Sequence, residues 1–69
     1  MERYFVTQKG NTAVTIGGVR TLSEFSPEQI VVAVRGGQIS VTGTGLGIAR
    51  FDENEIEVTG KIENVETIG

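Results

Sequence analysis

The chain has 69 residues, no Cys, no His and a formal net charge of −3. Without Cys there is neither a disulfide framework nor a thiolate metal site, and without His the commonest transition-metal ligand and general base is missing. The length suits one domain over residues 1–69, and an acidic chain with scattered basic residues argues against nucleic acid, which calls for a clustered basic face.

Periodicity predicts strands nearly throughout. Tyr4–Gln8 and Thr12–Ile16 flank a tight reversal at Lys9-Gly10-Asn11. Tyr4 and Phe5 are expected in the core, the alternative being an exposed grip for a partner. Val14 and Ile16 alternate with Thr15. Val19, Leu22 and Phe25 are spaced by three, which fits one helical turn or a strand with a β-bulge; beside such strong strand neighbours the bulge is expected. Ser26-Pro27-Glu28 suits a type I turn, with proline setting φ at its second position. Ile30, Val32 and Val34 alternate with Val31 and Ala33, so this strand is expected to be covered on both faces.

Arg35-Gly36-Gly37-Gln38 reads as a two-residue hairpin, with glycine taking the positive φ of a primed turn. A short strand at Ile39 and Val41 follows, then another at Leu46 and Ile48. Gly43, Gly45 and Gly47 between and within them fit a bulge or a close backbone approach. Asp52-Glu53-Asn54 reads as a second turn, closed by Asp and Asn side chains. Ile56 and Val58 alternate with Glu55, Glu57 and Thr59, and Thr59-Gly60-Lys61 reads as another tight reversal. Ile62 and Val65 again stand three apart, as in a bulged strand.

One plan occurs twice. Phe25-Ser26-Pro27-Glu28-Gln29-Ile30-Val31-Val32 is matched by Phe51-Asp52-Glu53-Asn54-Glu55-Ile56-Glu57-Val58. Upstream, Gly10–Thr15 lines up with Gly37–Thr42 and Gly18-Val19 with Gly45-Leu46, and Gly60-Lys61-Ile62-Glu63 starts a truncated third unit. Each unit is about two strands and two turns and cannot bury a face alone. The expected fold is all-β: a small antiparallel β-meander or roll of about six to eight short strands with an internal hairpin repeat. Ile30-Val31-Val32 is apolar on both faces and belongs at the sheet centre. Ile56-Glu57-Val58 has one charged face and belongs near an acidic edge.

No constellation points to catalysis. Gly43-Thr44-Gly45-Leu46-Gly47 lacks the following helix of a phosphate loop and reads as a bulge. Asp52, Glu53, Asn54 and Glu55 are consecutive rather than alternating, unlike a calcium loop. Glu55 and Glu57, or Glu63 with a cross-strand neighbour, would be the carboxylate pair of a glycosidase, but they follow the ordinary outward pattern of a strand. Ser23, Ser26 and Ser40 have no His, and Lys9 and Lys61 show no pattern that would activate a serine. The chain is therefore read as no enzyme, with no catalytic, metal or cofactor-binding residue and no cofactor.

Charge is unevenly placed. Residues 1–51 carry five basic and three acidic side chains, whereas residues 52–69 carry one basic and six acidic. Glu55, Glu57 and Glu63, with Arg35 and Arg50 at strand ends, form a possible interaction edge, within the chain or between copies. The longest apolar run is Ile30–Val34, far short of the roughly 18 residues of a membrane-spanning helix. No direct membrane insertion is expected, and the chain is read as soluble and cytoplasmic. Small chains without disulfides or metals often complete their stability by oligomerising, so a homo-oligomer is a candidate.

Val14-Thr15-Ile16-Gly17-Gly18-Val19, Leu22-Ser23-Glu24-Phe25, Glu28–Val32, Gly37–Gly43, Gly45–Ile48 and Glu55–Ile62 follow one another in an order and spacing that resemble the YabP/YqfC family of sporulation proteins. The resemblance implies expression in the mother cell of an endospore-forming bacterium and a role in assembling spore cortex or coat. It also implies a membrane-protein partner, through which the chain would sit peripherally at a membrane, and no enzymatic activity. The function expected is a non-enzymatic β-rich assembly module. The alternative is a monomeric β domain that binds a peptide or glycan through a Thr/Gly-rich face at Thr42, Thr44, Gly45 and Gly47.

Overall fold

A computed structural model describes residues 4–68. Six strands follow in order: β1 (Phe5–Lys9), β2 (Ala13–Gly17), β3 (Val19–Phe25), β4 (Gln29–Val34), β5 (Gly37–Phe51) and β6 (Glu55–Ile68). They form one antiparallel sheet in the order β1-β2-β6-β5-β4-β3. The all-β meander read from the sequence is present, with two long strands in place of several short ones.

β5 and β6 have to bend. Fifteen residues of straight strand would span about 50 Å at roughly 3.3 Å per residue, yet the molecule measures 32 × 18 × 18 Å. The β5–β6 register shifts between Thr42 and Gly43 and again between Thr44 and Gly47. Opposite this point Gly60 has φ +129, and a side chain there would meet the Gly45 carbonyl oxygen at 2.6 Å. The bend divides the sheet into two arms. The first holds β1, β2, residues 55–59 of β6 and residues 47–51 of β5; the second holds β3, β4, residues 37–44 of β5 and residues 61–68 of β6. The arms share one core cluster containing Val14, Ile16, Ile56 and Val58 from the first and Ile30, Val32, Ile39 and Val41 from the second, all fully buried.

The tight reversal expected at Thr59-Gly60-Lys61 is therefore not there. The chain runs on through Gly60, because residues 61–68 find their partners on the first half of β5 rather than on residues 55–59. The other turns stand. Thr12 N–H donates to the Lys9 carbonyl (3.3 Å) where Gly10 has φ 56. In the β4–β5 hairpin Val34 pairs with Gly37 around the two-residue loop Arg35-Gly36. Only Gly36, the second loop residue, has positive φ (92), which is the type II pattern rather than the primed one expected.

The internal repeat is visible in the pairing. Phe25↔Ile30, Glu24↔Val31, Leu22↔Val32 and Thr21↔Ala33 of β3–β4 recur as Phe51↔Ile56, Arg50↔Glu57, Ile48↔Val58 and Gly47↔Thr59 of β5–β6. Both ladders skip one residue at the same place, Ser23 and Ala49. A second skip at Arg20 completes the bulged strand that the spacing of Val19, Leu22 and Phe25 predicted. Both Phe turns close alike, with the Ser26 N–H on the Gln29 carbonyl and the Asp52 N–H on the Glu55 carbonyl, each 2.8 Å. The first turn is reinforced by Ser26 Oγ, which accepts from the Gln29 N–H (3.0 Å).

The units interlock by exchange. β2 of the first unit pairs with β6, and β4 of the first unit pairs with β5. Main-chain bonds close the exchange: Val19 N–H to the Asn54 carbonyl (2.9 Å) and Leu46 N–H to the Pro27 carbonyl (2.8 Å). The registers Ile16↔Ile56 and Val41↔Ile30 make Ile16 the counterpart of Val41. The sequence had aligned Val14 with Val41, two residues out of frame. Strand alternation repeats every two residues, so a slip of two keeps the same face apolar and leaves no trace in the pattern.

The placement of the two Phe-turn strands differs from expectation. Residues 56–58 lie between β2 and β5, away from any edge, whereas β4 lies beside the edge strand β3. The second face of β4 is buried at Val31 and half-buried at Ala33. Tyr4 packs against the core as expected. Phe5 does not: it is 40% exposed and its ring lies across Gly17 on the outer face of β2.

Candidate interaction surface

Arg50, Glu55 and Glu57 come together at the end of the first arm. The β5–β6 register sets Arg50 opposite Glu57, beyond the bulge at Ala49, and the Phe51 turn folds Asp52 and Glu55 back beside it. The Arg50 guanidinium pairs with Asp52, with Glu55 (3.3 Å) and with Glu57 (3.8 Å). The charge of Asp52 first, and then the hydrogen bond to Glu55, raise the Arg50 pKa above its ordinary value. The Asp52 carboxylate thus serves Arg50, where the sequence reading had it closing the turn.

The cluster is solvent-exposed, and exposed ion pairs are screened by salt. Arg50→Ala is expected to lower the melting temperature at low ionic strength, and the difference from the parent chain should vanish in molar salt. Thermal melts at both ionic strengths check this.

The remaining candidates lie elsewhere. Arg35 is at the tip of the β4–β5 hairpin and Glu63 is beyond the bend, where its carboxylate accepts from the Thr44 hydroxyl (3.4 Å). The five residues therefore do not share one edge. Of the Thr/Gly-rich face, Gly45 and Gly47 form part of the bend, and the Thr42 hydroxyl donates to the Asn64 carbonyl (3.5 Å). Among the described residues no group of three or more His, Cys, Asp or Glu is placed to hold a metal ion. No helix among them is long and apolar enough to cross a membrane.

The surface that sequence reasoning missed is apolar. Phe25 is 54% exposed and Phe51 49%. Each pairs with a fully buried Ile, Phe25 with Ile30 and Phe51 with Ile56, so each shares the core face of its strand and overhangs the rim. Each also stands on a strand segment with a neighbour on one side only, β3 beside β4 and residues 47–51 of β5 beside β6. Unpaired strand backbone with an exposed aromatic is a template for association. The signal in the sequence was the position of both Phe residues at the last strand residue before a turn, where the opposite arm no longer reaches.

The YabP family model matches residues 2–67. The chain belongs to the YabP family. Membership associates it with sporulation and agrees with the resemblance carried by its glycine and aliphatic spacing. No curated protein matches the chain.

Proposed function

We propose that this YabP-family chain is a non-enzymatic interaction module in spore cortex or coat formation. It acts in the mother-cell cytoplasm, associates with further copies of itself and docks on a membrane-protein partner. The observation that carries the reading is the pair of half-exposed phenylalanines on strand segments with unpaired backbone, Phe25 on β3 and Phe51 on β5. Edges of this kind are normally blunted or covered in a protein that works alone.

Size-exclusion chromatography with light scattering tests the self-association. A mass above that of one chain is expected at high micromolar concentration, and a clean monomer insensitive to salt would sink this part. For the partner, the chain should co-fractionate with membranes of sporulating cells and be released when a membrane protein encoded beside it is deleted. Unchanged fractionation would remove the docking role.

A further inference from the structure

β3 is self-complementary. It ends the sheet and pairs only with β4. Its sequence, Val19-Arg20-Thr21-Leu22-Ser23-Glu24-Phe25, places a cation two residues before Leu22 and an anion two residues after it. An antiparallel neighbour of the same sequence, centred on Leu22, sets Arg20 against Glu24 and Thr21 against Ser23, while Val19, buried and bonded through its N–H to the Asn54 carbonyl (2.9 Å), stays outside the contact. A twofold axis through Leu22 makes every such contact twice, as an isologous interface requires.

We infer that β3 is the edge through which two copies of this chain join, with Arg20 of each molecule on Glu24 of the other. The inference rests on the self-association proposed above and names the surface and the occupant. Arg20 and Glu24 are exposed, and the ion pairs among the described residues are all those of Arg50. Val19, Leu22 and Phe25 lie on the core face of β3, opposite Val34, Val32 and Ile30. Pairing about Leu22 therefore joins the two Leu22 side chains across the dyad and brings the exposed Phe25 of each copy beside the other. The skips at Arg20 and Ser23 leave few regular main-chain bonds on the outer side. Side-chain complementarity then sets the affinity, and the charge pair sets the register.

The other open edges lack this symmetry. The one charged side chain of β1 is Lys9. In residues 61–68 of β6, self-pairing about Val65 brings Glu66 to Asn64 and Glu63 to Thr67, with no opposite charges meeting, and an axis at Ile62, which would set Lys61 against Glu63, is blocked by the Ile62 N–H bond to the Asn11 carbonyl (2.7 Å). On residues 47–51 of β5, Arg50 is already held by Asp52, Glu55 and Glu57.

The test is a charge swap in the full chain, read by analytical ultracentrifugation at low salt. The parent should form a dimer and nothing larger. Arg20→Glu and Glu24→Arg each put like charges together twice per dimer, and each should raise the dissociation constant at least about tenfold. The double reversal Arg20→Glu with Glu24→Arg should return it to near the parent value. Circular dichroism should be the same for all four proteins, since both positions are exposed. Among the described residues Arg20 and Glu24 form no ion pair within one chain, so rescue by the double reversal marks a contact between copies. Dimers indifferent to the single reversals, or a double reversal no better than either single, would overturn this edge while leaving self-association standing. A parent chain that stays monomeric would overturn both, and assemblies larger than a dimer would overturn the closed twofold contact.

Discussion

Alanine at Gly43 is expected to abolish stable folding or come close to it. A side chain there runs directly into the Lys61 carbonyl oxygen, part of the backbone of β6 at the point where the two long strands bend together. A flexible side chain could swing away, but a carbonyl in the ladder moves only if the bend opens. Overpacking costs typically about 1–3 kcal/mol, and more where backbone must shift. A chain of this length has on the order of 3–10 kcal/mol in total at roughly 0.05–0.15 kcal/mol per residue. The bend also brings the arms together over their shared core, so the damage is not local. Gly47→Ala is the control. Gly47 lies in the same bend, has nothing within 4 Å of an added methyl group and does not have positive φ. That substitution should change stability by less than about 1 kcal/mol, in either direction. Urea unfolding of the two variants separates the readings: equal effects would show that the close approach at Gly43 is unimportant.

The second large effect is paired. Ile30→Ala and Ile56→Ala should each cost about 2–5 kcal/mol. Both side chains are fully buried, and both stand opposite a Phe across an equivalent ladder, Phe25 and Phe51. Neither belongs to one arm's private core, since both lie in the single cluster that the two arms share. The two losses should therefore be alike. Unfolding free energies differing by several kcal/mol would contradict the equivalence of the two units. Phe25→Ser, by contrast, should cost the isolated chain less, because Phe25 is already half-exposed.

Much of this architecture was legible because strands advertise themselves. Val14 and Ile16, Ile30 through Val34, and Ile56 with Val58 have a period of two that only a pleated surface satisfies. Glycine and proline marked the reversals at Gly10, Pro27 and Gly36, since positive φ or a preset φ is a local property of the residue. The spacing of Val19, Leu22 and Phe25 revealed a bulged strand, because each extra residue shifts the inward side chain by one.

Gly60 shows where local reading stops. A glycine between two strand patterns looks the same whether the chain turns back or runs on with a bend, and the choice depends on which distant strand offers its backbone. Here β5 offered it, so residues 55–68 became one strand and moved Glu55 and Glu57 from an edge to an interior strand. The candidate charges separated for the same reason. Arg50 met Glu57 because the ladder set them opposite, while Arg35 and Glu63 were carried to a hairpin tip and to the far side of the bend.

By itself, then, the sequence determined the strand class, the reversals at Gly10, Pro27, Gly36 and Asp52, the repeated Phe-turn unit and the family, because each is written in spacing and in residue type along the chain. Tertiary structure alone decided how the two units exchange strands, the two-residue frame between them, the bend at Gly43 and Gly60, and the exposure of Phe25 and Phe51. Those depend on long-range backbone pairing, for which alternating strands of the same period are interchangeable partners until the whole sheet is assembled.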